Sequence, residues 1–347
     1  MAASLPPSYQ TIADVGEEDI IRRFAGSALP EGTIGMGDDC AVTEGPGGQR
    51  RLISTDLIIE EIHFRRGEIN PGDLGYKALA VNLSDIAAMG GTPDGFFLSL
   101  ALPGALPSSW LDYFRDGLME LAQKFGVPLL GGDTTRSPGV IMISVTVTGL
   151  VTPKHLKLRS KACPGDRLCV TGPLGDASAG LSILTNPESC ELLGDPHRKH
   201  LIQRHCRPEP AVEQGRWLGR QDAVRAMIDL SDGLLRDARH LAEQSGCQID
   251  LALDQLPLSP AFEAFGAINK SEEQVQGLAA AGGEDYHLLL SVARESLEEI
   301  SRAFEQQFGT PLYAVGSVKE GPPNVRTLRN GSPAEVQQQE FKHFNRS

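Results

Sequence analysis

The stretch that decides the fold is DLGYKALAVNLSDIAAMGG, residues 73–91. Leu74, Ala78, Val81 and Ala88 recur at helical spacing with Leu79, Leu83 and Ile86 beside them, which predicts a helix over residues 73–89 closed by Gly90-Gly91. Asn82 and Asp85 are three apart and share one face of it. Downstream, residues 96–102 read as a strand. Residues 110–125 read as a helix with Phe114, Leu118, Leu121 and Phe125 inward, and residues 127–130 as a short run into Gly131-Gly132-Asp133. Ile141, Ile143, Val145 and Val147 alternate with Ser144, Thr146 and Thr148, the pattern of a strand with one buried face. Upstream lie a short amphipathic helix over residues 17–24 and a strand over 51–54 that ends at Thr55-Asp56.

The second half alternates strands (167–171, 226–230, 248–253, 286–292, 312–318) with helices (176–184, 234–244, 295–308, and one reaching 281), as a layered α/β domain should. Ser231 or Asp232 is placed to cap the helix over 234–244, and Asn330-Gly331 to turn a hairpin. Residues 152–166 carry Pro153, Pro164, Gly165 and the basic residues Lys154, His155, Lys157, Arg159 and Lys161, and are the expected linker. The expected class is mixed α/β with two domains, residues 17–150 and 151–347, since 347 residues exceed the roughly 100–200 of one domain.

A hydrophobic content of 40% and a charged content of 22% are those of a globular chain, and a formal net charge of −13 disfavours nucleic acid or an anionic membrane as partner. The longest apolar stretch, residues 139–151, alternates and is too short to span a bilayer; the acidic N-terminus lacks a signal pattern, so the expectation is cytoplasmic. Six cysteines lie scattered without a C-x-x-C pair and read as small core residues, although Cys40 follows an Asp pair.

Aspartates carry the chemistry. Gly37-Asp38-Asp39, Ser54-Thr55-Asp56, Ser84-Asp85, Gly131-Gly132-Asp133 and Asp229-Leu230-Ser231-Asp232 place carboxylates where apolar runs give way to Gly, Ser or Thr. One such Asp is ordinarily a cap or an Asx turn. Repetition suggests convergence on one site, where carboxylates need hard cations such as Mg²⁺, which favours oxygen ligands shared with phosphate. There is no Gly-Lys dipeptide and hence no Walker A loop; G-x-G-x-x-G, H-E-x-x-H, G-x-S-x-G and S-x-x-K are missing too.

In their order, Gly35-Met36-Gly37-Asp38-Asp39-Cys40-Ala41, Ser54-Thr55-Asp56 with His63-Phe64, residues 76–85, Gly131-Gly132-Asp133-Thr134-Thr135, Asp229-Leu230-Ser231-Asp232-Gly233-Leu234 and Gly282-Gly283-Glu284-Asp285-Tyr286 resemble the motifs of the bacterial thiamine-monophosphate kinase family, over roughly residues 17–344. The resemblance implies an aminoimidazole ribonucleotide synthetase-like fold. Its N-terminal sheet domain pairs in a homodimer, and ATP with several Mg²⁺ ions sits between that domain and the C-terminal α/β domain. Carried over, Asp39, Ser54, Thr55, Asp56, Asp85, Asp133, Asp229 and Asp232 would be magnesium ligands, Asp39 rather than Asp38 being the nearer of its pair. Gly132, Asp133, Arg159 and Ser231 would contact ATP, and His63, Glu284 and Phe341 thiamine monophosphate. Phe341 stands where Trp or Tyr is common, keeping the aromatic face without its polar tip.

The implied reaction asks for no nucleophile or base from the protein, because the phosphate of thiamine monophosphate already offers an anionic oxygen. Other ATP-using enzymes of the superfamily fit less well: the selenophosphate synthetase needs a reactive N-terminal Cys and the hydrogenase-maturation protein a C-terminal Cys, whereas here the first is Cys40 and the chain ends Phe344-Asn345-Arg346-Ser347. A non-catalytic nucleotide-binding regulator should have lost one of the aspartates, and none is missing.

Overall fold

The computed structural model describes residues 12–336 apart from 25, 27 and 269, so Phe341 lies outside the described residues. Helices α1 (Ile12–Val15) and α2 (Glu17–Phe24) lead into β1 (Ala41–Glu44), β2 (Arg50–Ile59), α3 (Pro71–Ala88), β3 (Thr92–Pro103), α4 (Ser108–Phe125), β4 (Leu129–Ser137) and β5 (Met142–Val151). The second half runs β6 (Arg167–Val170), α5 (Asp176–Thr185), α6 (Asp195–Cys206), α7 (Val212–Gly219), β7 (Val224–Asp229), α8 (Leu234–Ser245), β8 (Gln248–Ala252), α9 (Pro260–Gly266) and α10 (Glu272–Ala281). It closes with β9 (Leu288–Val292), α11 (Leu297–Phe308), β10 (Tyr313–Lys319), β11 (Asn324–Arg329) and β12 (Ser332–Pro333).

Two mixed sheets result. The first has the order β1-β2-β5-β3-β4, antiparallel except for β3 with β4; the second has the order β12-β11-β8-β10-β6-β9-β7, antiparallel except for β11 with β8. Asn330 and Gly331 turn β11 into β12 with φ of 49° and 76°, the left-handed pair that such a tight hairpin requires.

Helix α3 is the shared centre. Asn70 caps it, its side chain accepting from the Asp73 N–H, and Pro71 opens it. Fourteen of its eighteen residues are buried, because it is covered by α4, by the first sheet and by the second half at once. Close backbone approach needs glycine at these crossings. A Cβ on Gly75 would sit 2.0 Å from the Phe114 carbonyl oxygen, one on Gly117 1.8 Å from that of Gly72, and one on Gly215 of α7 2.1 Å from that of Ala87. One apolar cluster therefore joins Leu79, Leu83 and Ile86 to Val212, Met227 and Leu288 across the two halves, while a second, around Phe262, Leu251 and Val315, belongs to the second half alone.

The strands run further than the apolar runs indicate. β2 continues through Thr55-Asp56 to Ile59, and β4 carries Gly131-Gly132-Asp133 within its body. Backbone pairing with β5 and β3 holds the ladder whatever the side chains are, so polarity there selects a face and does not end the strand. The segment between the sheets is no solvated hinge: Lys157 is buried and its Nζ donates to the carbonyls of Gln221 (2.9 Å) and Val224 (2.5 Å). No helix among the described residues is long and apolar enough to cross a membrane.

Gly117→Ala tests the α3–α4 crossing by its sign. Helix propensity alone would favour alanine by about 1 kcal/mol. The backbone clash should instead destabilise the protein by roughly 3 kcal/mol. A urea midpoint that rises or stays put would show that the crossing is not tight.

Candidate active site

Period-two geometry divides the first sheet. Ser54 and Asp56 face α3, whereas Thr55 lies on the open face with its Oγ1 2.9 Å from Thr146 Oγ1. From α3, Asp85 accepts a hydrogen bond from the Ser54 hydroxyl, and Asn82 accepts from the Asp56 N–H (3.1 Å) while its own amide donates to the Ala78 carbonyl (3.0 Å). The neighbouring Ser84 hydroxyl reaches the other way and donates to Asp229 at the end of β7 (2.7 Å). Asp39, just before β1, completes the group: carboxylate oxygens of Asp39, Asp85 and Asp229 all lie within 4.8 Å of one another. Arg159 grips Asp39 through two nitrogens (2.8 and 3.4 Å), and its N–H donates to Asp38 (3.3 Å).

Burial and repulsion dominate the electrostatics. Two unit charges ~4 Å apart repel by about 4 kcal/mol at an effective dielectric near 20. Burial, then Asp39, pushes Asp38 up to about 7, and burial, then Asp232, pushes Asp56 up to about 6. Asp85 is raised well above its ordinary value by burial and by Asp56, Asp229 and Asp39, against the Ser54 hydroxyl; Asp229 is raised by burial and Asp39, against the Ser84 hydroxyl and Arg159. An all-oxygen, buried and mutually repelling set of this kind suits a hard divalent cation. Cys40 is buried beside it, its thiol pushed well up by burial and then Asp85, as befits a packing residue.

Asp232 sits 3.3 Å from Arg236, which also holds Glu17 (3.1 Å). Neither Ser231 nor Asp232 caps α8. Gly233 takes the cap position at φ 107°, and its N–H is accepted by the buried Asp237 one turn on (3.1 Å), so the Ser231 and Asp232 side chains are not spent on the helix end. Asp133 is exposed on edge strand β4, level with Ser99, Ser144 and Leu57 on the open face, and stands outside the three-carboxylate group. Beside it Gly132 has φ 155°, and a Cβ there would lie 1.7 Å from the Leu98 carbonyl oxygen, so only glycine fits. His63 lies in the turn after β2, its Nδ1 accepting from the Ile59 N–H (3.0 Å).

Glu284 stands on the second half. Burial works to raise its carboxyl, but Lys77 and then His205 outweigh it and hold the group well below the usual carboxylate range. Lys77 Nζ is 2.9 Å away; His205 Nδ1 is 3.0 Å away, close but out of hydrogen-bond alignment. The sequence reading assigned no role to Lys77, Ser84, His205, Arg236 or Asp237. Of their contacts only Asp232–Arg236 and Gly233–Asp237, four residues apart on a helix start, leave a local signal.

Residues 37–151 match the AIR synthase related protein N-terminal domain and residues 163–328 the corresponding C-terminal domain. The chain is similar to the thiamine-monophosphate kinase of Salmonella typhimurium, 37% identical over 332 residues, which is 95% of this chain and 98% of that protein. It is also similar to the solved structure of AaThiL complexed with AMPPCP and TMP, with 30% identity and a TM-score of 0.82 over 97% of this chain and 99% of that one. Escherichia coli HypE, a hydrogenase maturation protein, shares the fold at 20% identity and a TM-score of 0.67, over 84% of this chain and 87% of that one.

The raised carboxylates fix a pH dependence. Their unfolded value is near 3.8 and their folded values reach about 6 and about 7, so the stability they contribute is present at low pH and is lost as pH rises between those limits. A divalent cation competes with those protons. Mg²⁺ should therefore raise the thermal midpoint more at about pH 8 than at about pH 5.5, with protons released on binding. An equal or reversed effect would contradict the cluster as a cation site.

Proposed function

The chain belongs to the AIR synthase related family and within it to the thiamine-monophosphate kinases, and from that premise we propose how its site works. The protein phosphorylates thiamine monophosphate with ATP to give thiamine diphosphate; a relative of the same fold was solved with TMP and AMPPCP, an ATP analogue. The observation that carries the mechanism is the junction of Asp39, Asp85 and Asp229, drawn from three segments and both halves of the chain. These carboxylates would hold Mg²⁺, with Ser54, Asp56 and Asp232 around them, and the ion would supply neutralisation of the phosphate charge.

The chain's own residues position and balance charge. The hydroxyls of Ser54 and Ser84 fix Asp85 and Asp229, and Asn82 fixes the Asp56 backbone, so the carboxylates cannot swing apart. Arg159, Ser231, Gly132 and Asp133 are assigned to ATP, with the glycine letting its phosphates approach the β4 backbone; Thr55 and Asp133 are assigned to Mg²⁺ beside the other ligands. His63, Glu284 and Phe341 are assigned to thiamine monophosphate. No residue takes a proton from the nucleophile, since the attacking phosphate oxygen is already ionised. Transfer is therefore direct and in line, without a phosphoenzyme.

Residues 17–150 and 151–347 are proposed as the two domains, with α3 as the element they share. The open face of the first sheet supports a homodimer: Leu57 and Phe97 lie on it at 52% and 41% exposure. Six free cysteines and the use of ATP support a cytoplasmic setting.

Incubation with ATP, Mg²⁺ and thiamine monophosphate should yield thiamine diphosphate with inversion at a chiral γ-phosphorus; retention would mean a phosphoenzyme. Asp56→Asn, which changes charge and little volume, should lower kcat by about 10³-fold with the fold intact, the scale of losing a preorganised electrostatic contact. A near-wild-type rate at low Mg²⁺ would remove Asp56 from the metal site. Phe97→Arg should give a monomer by sedimentation if the open face pairs, and an unchanged sedimentation coefficient would exclude that face.

A further inference from the structure

Glu284 holds a backbone conformation that L-residues seldom adopt, φ 69°, and Tyr286 another, φ 51°. Such positions persist only where the surroundings over-determine them, and they gather at functional sites. Here the backbone is zipped to the segment between Asp229 and Asp232, with the Glu284 N–H donating to the Ser231 carbonyl (2.8 Å) and the Tyr286 N–H to that of Leu230 (2.9 Å). Asp285 between them accepts from the N–H groups of Gly175 and Ala177 at the start of α5 (2.7 and 3.2 Å). What remains is the Glu284 carboxylate, with Lys77 of α3 at one oxygen and His205 of α6 at the other.

Lys77 is buried, with side-chain exposure of 6%, and among the described residues Glu284 is the acid paired with it. A buried ammonium–carboxylate pair is a poor stabiliser, because desolvation offsets its attraction and an apolar pair of similar shape does as well. Its value is geometric. The pair is electrically balanced, so Glu284 presents directed hydrogen-bond acceptors and little net charge. Lys77 also stands on the rod that carries Asp85, eight residues or about 12 Å along the helix axis. The loop around Glu284 and the carboxylates are thereby referenced to one rigid element.

We infer that Lys77, with the His205 ring packed against the second oxygen, is a positioning residue that holds the Glu284 carboxylate in one orientation, so that its free lone pairs meet a hydrogen-bond donor of the thiamine moiety. This rests on the assignment of Glu284 to thiamine monophosphate. The titratable groups facing Glu284 are Lys77, His205, the Cys206 thiol and the Tyr286 phenol. Burial pushes the thiol up to about 11 and the phenol well above its ordinary value, so neither ionises near neutrality.

Steady-state kinetics of Lys77→Met, Glu284→Gln and the double variant test it. Lys77→Met should raise KM for thiamine monophosphate about tenfold or more, the scale of a charge-assisted hydrogen bond, with KM for ATP unchanged. Relative to wild type, that KM should climb further as pH falls, because Glu284 without its counter-charge takes up a proton; adding Glu284→Gln should abolish the pH limb. A raised KM in Glu284→Gln with none in Lys77→Met would overturn the positioning role alone. An unchanged KM in Glu284→Gln would overturn the assignment of Glu284 and the inference with it. Should Lys77→Met fail to fold, His205→Ala against His205→Asn, whose amide nitrogen stands near the Nδ1 position, carries the test: alanine should raise KM for thiamine monophosphate and asparagine should restore it, and equal values would overturn the inference.

Discussion

Everything in this molecule depends on holding carboxylates together that repel one another. Asp39, Asp85 and Asp229 come from a turn, a helix and a strand end, and burial removes the water that would screen them. The fold counters this with hydroxyl donors on Asp85 and Asp229 and with the Arg159 guanidinium on Asp39. These contacts orient the carboxylates and leave most of the charge unbalanced, which is the condition under which divalent cations and then phosphate oxygens bind.

Helix α3 makes the arrangement possible. It is buried on nearly every side because both halves pack against it, and its consecutive Ser84 and Asp85 reach opposite partners, Asp229 from one half and Ser54 from the other. Two turns earlier Lys77 reaches Glu284. A single rigid helix thus sets the spacing between the carboxylates and the loop assigned to the substrate. Glycines at its crossings with α4 and α7 are the steric condition for that closeness.

Much of this was legible in the chain. The helix over 73–89, the alternation over 141–148 and the Asn330-Gly331 turn read correctly because helical and strand periods and left-handed turn positions are local properties. The aspartate motifs were legible through their order. Less legible were the strand limits at Asp56 and Asp133, where backbone pairing overrides side-chain polarity, and the start of α8, where Gly233 takes the cap position expected of Ser231 or Asp232 and Asp237 accepts from its N–H.

By itself the sequence determined the family and the reaction, since these follow from motifs in a fixed order. Only the tertiary structure decided which carboxylates meet, that Thr55 and Asp133 lie on the face away from α3, and that Lys77 and His205 converge on Glu284. The physical reason is separation along the chain. Strand pleat and sheet register assign a face only once partners are chosen, and contacts between residues far apart in the chain leave no trace in local spacing.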